Sequence, residues 1–228
     1  MAIAWSNDDV DFIRRRYDRI GGLHKLFDWL LFLPTKLRRT AVEWIDLRAG
    51  DRVLEVGCGT GPNLPMLRAA VGPHGRVYGV DLSEGMLAPA RRLCARNGWT
   101  NVSLSHADAL AHVAPEALDG VLFSLSYNTM PHHRSVLAHT LGQVRPGGRI
   151  VIMDAKLPSG IGGKLVLPFS VWLMKRTVLG NPYIRPWDHL APATTDFAMQ
   201  EFRFGSYYVC RGIKPPACDP PDGRKRDA

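Results

Sequence analysis

The sequence lacks any apolar run long enough to cross a bilayer as a helix, which requires about 18 to 20 residues. The two longest candidates are Leu26–Leu33, interrupted by Asp28, and Leu165–Met174, interrupted by Pro168. The amino terminus also lacks the basic start, apolar run and small-residue cleavage site of a secretory signal. We therefore expect a cytoplasmic protein, with peripheral attachment to the inner face of the membrane as the one open alternative.

Cysteine is scarce, and its spacing does not indicate a metal site. No CxxC pair is present, and no combination of His and Cys has the spacing of a zinc site. We expect reduced thiols and no bound metal. The four cysteines are Cys58, Cys94, Cys210 and Cys218.

Positive charge, in contrast, is in excess. The formal net charge is +8 and the isoelectric point lies near 9.6, which favours an anionic partner such as an anionic membrane surface, an acidic substrate or nucleic acid. A solvated helix face explains a run of basic residues equally well, so charge alone does not choose. The basic residues near the amino terminus are Arg14, Arg15, Arg16, Arg19, Lys25, Lys36, Arg38 and Arg39.

The hydrophobic pattern changes near Asp51, which indicates two structural regions. Before it, apolar residues such as Ile13 and Tyr17 recur near helical spacing, which predicts two or three helices over residues 9–45. After it, short apolar strands alternate with helices, as is typical of an α/β domain with a mainly parallel sheet. The expected parts are an N-terminal helical cap at 1–48, one domain at 49–213 and a disordered tail at 214–228.

Six strands and three intervening helices are predicted within the α/β domain. The turn Arg145–Gly148 contains Pro and two Gly residues, and we expect it to make a sharp entry into the fifth strand. The predicted strands are Arg52–Val56, Arg76–Val80, Val102–Ser105, Gly120–Ser124, Arg149–Asp154 and Ser206–Arg211. The predicted helices are Leu64–Val71, Glu84–Asn97 and Arg134–Val144.

The segment Glu55–Gly61 carries the strongest functional signal. An apolar strand ends here with the carboxylate of Glu55, and a glycine-rich turn comes next. A ligand can approach the backbone N–H groups of such a turn closely. Asp81 follows the second strand, where a carboxylate can accept both hydroxyls of a ribose, and Asp108 follows the third. Because ligands bind at the carboxyl ends of parallel strands, these residues predict a nucleotide-type cofactor.

Together with the Arg145–Gly148 turn, these pieces resemble class I S-adenosylmethionine-dependent methyltransferases over residues 51–154. The resemblance implies a Rossmann-like fold with a seven-stranded, mainly parallel sheet, helices on both faces and an N-terminal helical extension. It also implies S-adenosylmethionine as cofactor, with the glycine turn on the methionine part, Asp81 on the ribose, Met86 packed on adenine, and Asp108 with Ala109 at the adenine edge. The implied cofactor contacts are Tyr17, Glu55, Gly57, Gly59, Gly61, Asn63, Asp81, Leu82, Met86, Asp108, Ala109 and Ser124.

Two cofactor-site features leave alternatives open. The NAD fingerprint requires Gly or Ala three positions after Gly59, where this chain has Pro62, so an NAD enzyme is disfavoured. Tyr17 resembles the Tyr-Asp element of the quinone-biosynthesis branch, which closes an N-terminal helix over the cofactor. An aromatic residue on the apolar face of a helix is the alternative for Tyr17.

The segment after the fourth strand is where the methyl acceptor is expected. Tyr127 and Asn128 are candidates for orienting it, and His132 or His133 could serve as a general base. Two adjacent histidines at the start of a helix are also common as surface or capping residues. We interpret Glu55 as an orienting carboxylate and Cys58 as a small packing residue.

The acceptor class is the weakest part of the prediction. The apolar segment 164–176 is flanked by cations and could rest in a membrane interface or pack on the sheet. The Asn/Asp-Pro-Pro-Tyr motif that is typical of DNA and protein-glutamine N-methyltransferases does not follow the fourth strand. This disfavours a nucleic acid as the methyl acceptor. The chain is similar to the branch containing quinone methyltransferases and bacterial phospholipid N-methyltransferases.

Our first hypothesis is N-methylation of a phosphatidylethanolamine-type amine on a membrane-associated lipid. The alternatives are O- or C-methylation of a quinone or small natural product, and a noncatalytic basic module for membrane or RNA. The sequence predicts no oligomeric state.

Overall fold

The computed structural model describes residues 35–157 and 183–216, together with Val10, Arg14, Arg15 and Asn181. Within these residues the helices are α1 (Thr35–Ile45), α2 (Leu64–Val71), α3 (Glu84–Arg96), α4 (His133–Gln143) and α5 (Trp187–Ala193). The strands are β1 (Arg52–Val56), β2 (Arg76–Asp81), β3 (Val102–His106), β4 (Leu118–Ser124), β5 (Val144–Ala155), β6 (Thr195–Phe202) and β7 (Tyr207–Ile213). Tyr17, the segment 164–176, Cys218 and the predicted tail from residue 217 lie outside the described residues.

The seven strands form one sheet in the order β3-β2-β1-β4-β5-β7-β6. Strands β1 to β5 are parallel to one another, and β7 is antiparallel to both β5 and β6. This confirms the predicted seven-stranded, mainly parallel sheet. The carboxyl ends of β1 to β5 consequently meet at one edge, which we call the carboxyl edge; the opposite side is the amino edge.

Helices cover both faces of the sheet, as predicted. Successive residues of a strand point to opposite faces, so Val53 packs with α1, α2 and α3 whereas Leu54 packs with α4 and α5. The central strands are therefore apolar on both faces, as parallel sheets require. Residues 35–45 of the predicted helical cap form α1, which buries Leu37 and Ile45 against the first of these faces.

The predicted boundaries of the elements differ from the observed ones mainly at the last two strands. β6 and α5 were not predicted, because β6 lies at the edge of the sheet and shows little burial along its length. β7 was predicted at Ser206–Arg211 but begins one residue later, at Tyr207, and ends two residues later, at Ile213. Lys214, predicted as the first residue of a disordered tail, donates its backbone N–H to Gly148 O (2.8 Å) and its Nζ to Val144 O (2.6 Å).

The Arg145–Gly148 turn also differs from its prediction. β5 already begins at Val144, which pairs with Leu118, and the next pairing is between Arg149 and Gly120. The Pro-Gly-Gly segment is therefore an irregularity inside the strand rather than a turn before it. Gly147, at φ +75°, allows the chain to return to the register.

Two further observations concern the described residues alone. None of their helices has both the length and the apolar character needed to cross a bilayer. Nor do the His, Cys, Asp and Glu side chains described here form a group that could hold a metal ion.

Candidate active site

The carboxyl edge brings the predicted acids together. Glu55 lies near the end of β1, Asp81 ends β2, and Asp108 follows β3 by two residues. These strands are neighbours in the sheet, so the three carboxylates come from adjacent strand ends. Asp108 accepts a hydrogen bond at Oδ1 from the backbone N–H of Leu110 (2.9 Å), which fixes the turn after β3.

The glycine turn after β1 needs glycine for conformation and for space. Gly57 has φ +71°, and a Cβ there would lie 2.5 Å from the Cβ of Ser126. Gly59 has φ +52°, and a Cβ there would lie 3.2 Å from the Met86 Cε and 4.0 Å from the Asp81 Oδ2. Gly59 thus faces the two side chains that the sequence assigns to adenine and ribose, so a larger residue would crowd the cleft between them.

Asp81 is anchored by backbone groups on both of its oxygens. Its Oδ2 accepts the N–H of Gly59 (2.8 Å) and its Oδ1 accepts the N–H of Ser83 (2.9 Å). Each carboxylate oxygen has a second lone pair, so an anchored carboxylate can still accept ligand hydroxyls. The helix behind it begins with Ser83, whose hydroxyl accepts the N–H of Met86 (3.1 Å) and so places Met86 beside the glycine turn.

Glu55 is a buried carboxylate, and only one of its oxygens is hydrogen-bonded within the described part of the chain. Its Oε1 accepts the side-chain amide of Asn63 (2.6 Å), whereas Oε2 has no hydrogen-bond partner among the described residues. Burial raises the pKa of Glu55 to about 7, although the Asn63 hydrogen bond and the nearby Arg38 lower it. A buried carboxylate oxygen of this kind needs a donor. The ammonium group of a methionine-type ligand fits that need.

Arg38 is a site residue that the sequence analysis missed. Its Nη1 donates to Asn63 Oδ1 and to Ser124 Oγ, both at 3.3 Å, and so joins α1 to the N-cap of α2 and to the end of β4. In the sequence Arg38 is one of many basic residues, and only its place on the half-buried side of α1 distinguishes it from exposed Arg39. Its cationic group beside the methionine end of the cleft suits the carboxylate of the cofactor.

Two further predicted cofactor contacts follow β2 and β3. Leu82 and Ala109 are half-buried, and the carbonyl of Leu82 lies 3.0 Å from the His106 Nε2. Cys58 is buried inside the turn. Burial, reinforced by Glu55 and Asp81, raises the pKa of its thiol, so the thiol stays protonated and fills space, which agrees with our interpretation of it.

The chain leaves β4 through a strained residue. Leu125 has φ +56°, which is rare for a residue with a bulky side chain, and its N–H donates to Met153 O (2.8 Å). The next residue, Ser126, packs on Gly57 and donates its hydroxyl to Val56 O (2.6 Å). Strain of this type is concentrated at functional sites. The left-handed conformation of Leu125 directs the segment 125–133, which we call the acceptor loop, across the glycine turn.

Asp154, near the end of β5, holds the acceptor loop against the sheet. No role was assigned to it from the sequence. Its Oδ2 accepts the N–H of Asn128 (3.0 Å), and its Oδ1 accepts the N–H of Ala155 (2.8 Å). The side chain of Asn128 donates in turn to Ala155 O (2.7 Å). Burial raises the pKa of Asp154 to about 7, although these backbone donors lower it. Asn128 and Asp154 thus clamp the loop to the sheet.

The other predicted acceptor-side residues differ in exposure. Tyr127 is fully buried, and its ring lies edge-on to Phe123 and to His133, with centroids 5.4 and 5.2 Å away. The hydroxyl of Tyr127 has no partner among the described residues, and burial raises its pKa. His133 is half-buried, with a pKa lowered mainly by burial, whereas His132 is exposed. Catalytic roles for these residues stay predictions.

Known proteins resemble this chain in sequence and in fold. A family model described as "Methyltransferase domain" matches residues 53–148. The demethylmenaquinone methyltransferase of Shouchella clausii is 35% identical over 123 residues, which cover 54% of this chain and 52% of that protein. The corresponding protein of Symbiobacterium thermophilum is 28% identical over 198 residues, covering 82% of this chain and 76% of that protein. The match thus spans only about half the length of several curated relatives.

A solved structure extends the likeness to nearly the whole fold. The N-methyltransferase NodS from Bradyrhizobium japonicum WM9, in complex with S-adenosyl-L-homocysteine, superimposes with a TM-score of 0.63 at 18% identity. The superposition covers 89% of this chain and 98% of that protein. At this identity the likeness establishes the fold alone. The family model, the sheet order and the acid-lined glycine turn together identify residues 53–148 as part of a class I methyltransferase domain, the type whose methyl donor is S-adenosylmethionine.

Proposed function

We propose that this protein transfers a methyl group from S-adenosylmethionine to a ring carbon of a reduced, apolar quinone of the demethylmenaquinone type. The cofactor part of the proposal is supported by the cleft in which Glu55 leaves one buried oxygen for a donor and Asp81 faces Gly59. The acceptor part is supported by the curated relatives, which favour the quinone alternative over the phosphatidylethanolamine-type amine preferred from the sequence.

The charge of the acceptor loop supports a neutral acceptor as well. Residues 125–133 contain no Asp or Glu, and the nearest carboxylate behind them, Asp154, is buried and engaged by backbone N–H groups. A cationic amine would be bound without an opposing charge there. A quinol ring needs only apolar surface and a few hydrogen bonds. The curated relatives carry the choice of acceptor, and the charge of this loop agrees with it.

Methyl transfer to carbon needs alignment and one proton acceptor. The cofactor supplies an electrophilic methyl group on sulfur, and the C–S bond breaks as the new C–C bond forms. The ring carbon then loses its hydrogen as a proton, while the aromatic quinol is restored. Glu55 and Asp81 orient the donor, and the acceptor loop positions the ring in line with it.

We assign the proton acceptor to His133 rather than to His132. Because burial lowers the pKa of His133, its imidazole is neutral at pH 7 and able to accept a proton. His132 is exposed at the helix start and lacks such an environment. Replacement of His133 by Ala is expected to lower kcat by about 100-fold, whereas His132→Ala changes it less than about twofold. Equal rates for the two variants would contradict the assignment.

Labelled S-adenosylmethionine tests the acceptor directly. The purified protein is incubated with either a chemically reduced, short-chain demethylated naphthoquinone or phosphatidylethanolamine, each in detergent, and the labelled product is analysed by mass spectrometry. We expect a methylated quinol and no methylated amine. Label on the phosphatidylethanolamine alone would overturn the proposal in favour of N-methylation, and label on neither would favour the noncatalytic module.

A further inference from the structure

The turn between β6 and β7 exposes an aromatic and a cationic side chain on a strained backbone. Phe204 is 78% exposed, and Arg203 beside it is also exposed. Both have left-handed conformations, with φ of +54° and +49°, and the turn is closed by the N–H of Ser206 on Arg203 O (3.0 Å). Each such residue costs about 1 to 2 kcal/mol. Neither the strain nor the exposed ring contributes to the core.

This turn lies at the same edge of the sheet as the candidate active site. β7 runs antiparallel to β5, with Tyr207 opposite Ala155, and the N–H of Lys156 donates to Ser206 O (2.9 Å). Since β5 ends at the carboxyl edge, the turn projects there beside the acceptor loop. Asp154, which holds that loop, is the last residue but one of the same strand.

Another exposed apolar residue, Val113, lies at the opposite edge. It is 68% exposed, and the N–H of the following Ala114 donates to the side chain of Gln143 (2.8 Å). Gln143 directly precedes β5, so Val113 is near the amino edge. Four large apolar side chains are exposed among the described residues, and Phe204 is the most exposed of them; the other three are Val113, Tyr183 and Phe197.

Basic residues are arranged differently at the two edges. At the amino edge, Arg52, Arg145 and Arg149 pair with Glu116, Asp119 and Asp46. The carboxyl edge carries exposed cations from several elements; among the described residues, Arg185 pairs with Asp188 (3.2 Å), and Lys156, beside the turn, pairs with Glu201 (2.6 Å). These exposed cations are Lys36, Arg39, Arg134, Arg185 and Arg203. The carboxyl edge thus combines an exposed ring with surplus positive charge.

We propose that Phe204 and Arg203 dock the protein on an anionic lipid bilayer and so present the acceptor loop to the membrane surface. This proposal rests on the proposed function, since an apolar quinol is dissolved in the bilayer. An aromatic ring is stabilised at the boundary between headgroups and acyl chains, and neighbouring cations are attracted to anionic lipid phosphates. The left-handed turn holds the ring outward before contact, so that docking needs no rearrangement.

Vesicle cosedimentation tests the docking surface. The wild-type protein is mixed at low salt with phosphatidylglycerol vesicles and, separately, with phosphatidylcholine vesicles. We expect binding to the anionic vesicles that weakens with added salt. Phe204→Ser is expected to weaken this binding by about tenfold, because partial burial of one Phe side chain contributes about that much. The matched control, Val113→Ser, should bind like the wild type.

Three outcomes would overturn the docking proposal. Unchanged vesicle binding by Phe204→Ser is the first. The second is a wild-type protein that runs as a dimer on gel filtration while Phe204→Ser runs as a monomer, which would identify a second copy of the chain as the partner that covers Phe204. The third is a melting temperature that falls in Phe204→Ser but not in Val113→Ser, without loss of vesicle binding, which would show that the ring packs within the protein.

Turnover assays separate this proposal from the proposed function. With a water-soluble acceptor that lacks the apolar chain, Phe204→Ser should match the wild type, whereas it should be slower with an acceptor embedded in vesicles. If the wild type methylates the quinol but does not bind vesicles, the docking proposal fails and the function stands. If binding depends on Phe204 but no quinol is methylated, the function fails and the docking surface stands.

Discussion

The cofactor side and the acceptor side of the cleft are assembled from contacts of different range. On the cofactor side, Glu55 contacts Asn63 eight residues away, and Asp81 contacts Ser83 two residues away and Gly59 across 22 residues. On the acceptor side, Ser126 donates to Val56 across 70 residues and Asn128 contacts Asp154 across 26. The cofactor side is largely a property of strand–turn–helix segments, whereas the acceptor side exists only once the sheet has formed. The two sides should therefore respond separately to substitution.

The largest separate effect is expected at Asp81. Replacing Asp81 by Ala removes the acceptor of two backbone N–H groups and the predicted ribose contact, while leaving the acceptor loop untouched. Hydrogen bonds to a charged group contribute about 1.5 to 3 kcal/mol each, so we expect the affinity for S-adenosylhomocysteine to fall by about 100-fold or more. Calorimetry measures it. Glu116→Ala, at the amino edge, is the control, and equal affinity in both variants would contradict the ribose assignment.

Asp154 tests the acceptor side in the same way. Asp154→Ala leaves the N–H groups of Asn128 and Ala155 buried without acceptors, which we expect to lower the free energy of unfolding by about 2 to 4 kcal/mol. At a temperature well below unfolding, the affinity for S-adenosylhomocysteine should stay the same while kcat/KM for the acceptor falls by about tenfold. Asp188→Ala, an exposed control, should change neither quantity. A parallel loss of cofactor affinity in Asp154→Ala would show that the two sides are not separable.

Glu55 should make cofactor binding depend on pH. Its pKa lies near 7 in the protein without ligand. A cationic ammonium group beside Oε2 favours the ionised carboxylate, so affinity for S-adenosylhomocysteine should rise by up to about tenfold per pH unit as the pH approaches 7 from below, with release of a proton, and should level off above pH 7. Calorimetry in buffers of different ionisation enthalpy measures that proton. Glu55→Gln should bind more weakly and without this pH dependence.

The same carboxylate should influence stability in the opposite direction. Because the folded pKa is raised from 4.5 to about 7, folding favours protonated Glu55. Its stabilising contribution is complete below pH 4.5 and is lost as the pH rises towards 7, by about 3 kcal/mol. The unfolding free energy of the wild type minus that of Glu55→Gln should therefore decrease as the pH rises from 4.5 to 7. A constant difference would show that Glu55 is ionised throughout.

Arg38 is expected to give the smallest effect and to couple the two sides. Its guanidinium contacts Asn63 on the cofactor side and Ser124 at the end of β4. Arg38→Ala should lower both the affinity for S-adenosylhomocysteine and kcat/KM for the acceptor by about fivefold, the value of a typical hydrogen bond. The neighbouring, exposed Arg39 provides a matched control, since Arg39→Ala should change neither. An effect on cofactor affinity alone would remove Arg38 from the acceptor side.

The predicted residues that the structure brings together at the carboxyl edge share a local origin. The run from β1 through the glycine turn, and the acids after β2 and β3, are recognisable because each combines an apolar strand with polar residues directly after it. Edge strand β6 was missed because an exposed strand lacks a clear apolar period. Arg38 and Asp154 were missed because their neighbours in sequence do not show what they contact in space.

The sequence by itself determined the alternation of strands and helices, the glycine turn and the three acids at the carboxyl edge, since these depend on short-range pattern and backbone conformation. Only the tertiary structure decided that Arg38 joins α1 to α2 and β4, that Asp154 clamps the acceptor loop, and that Phe204 projects beside it. Those contacts join strands and helices that are far apart in the chain. Their partners are chosen by sheet order and register, and a residue alone carries no record of either.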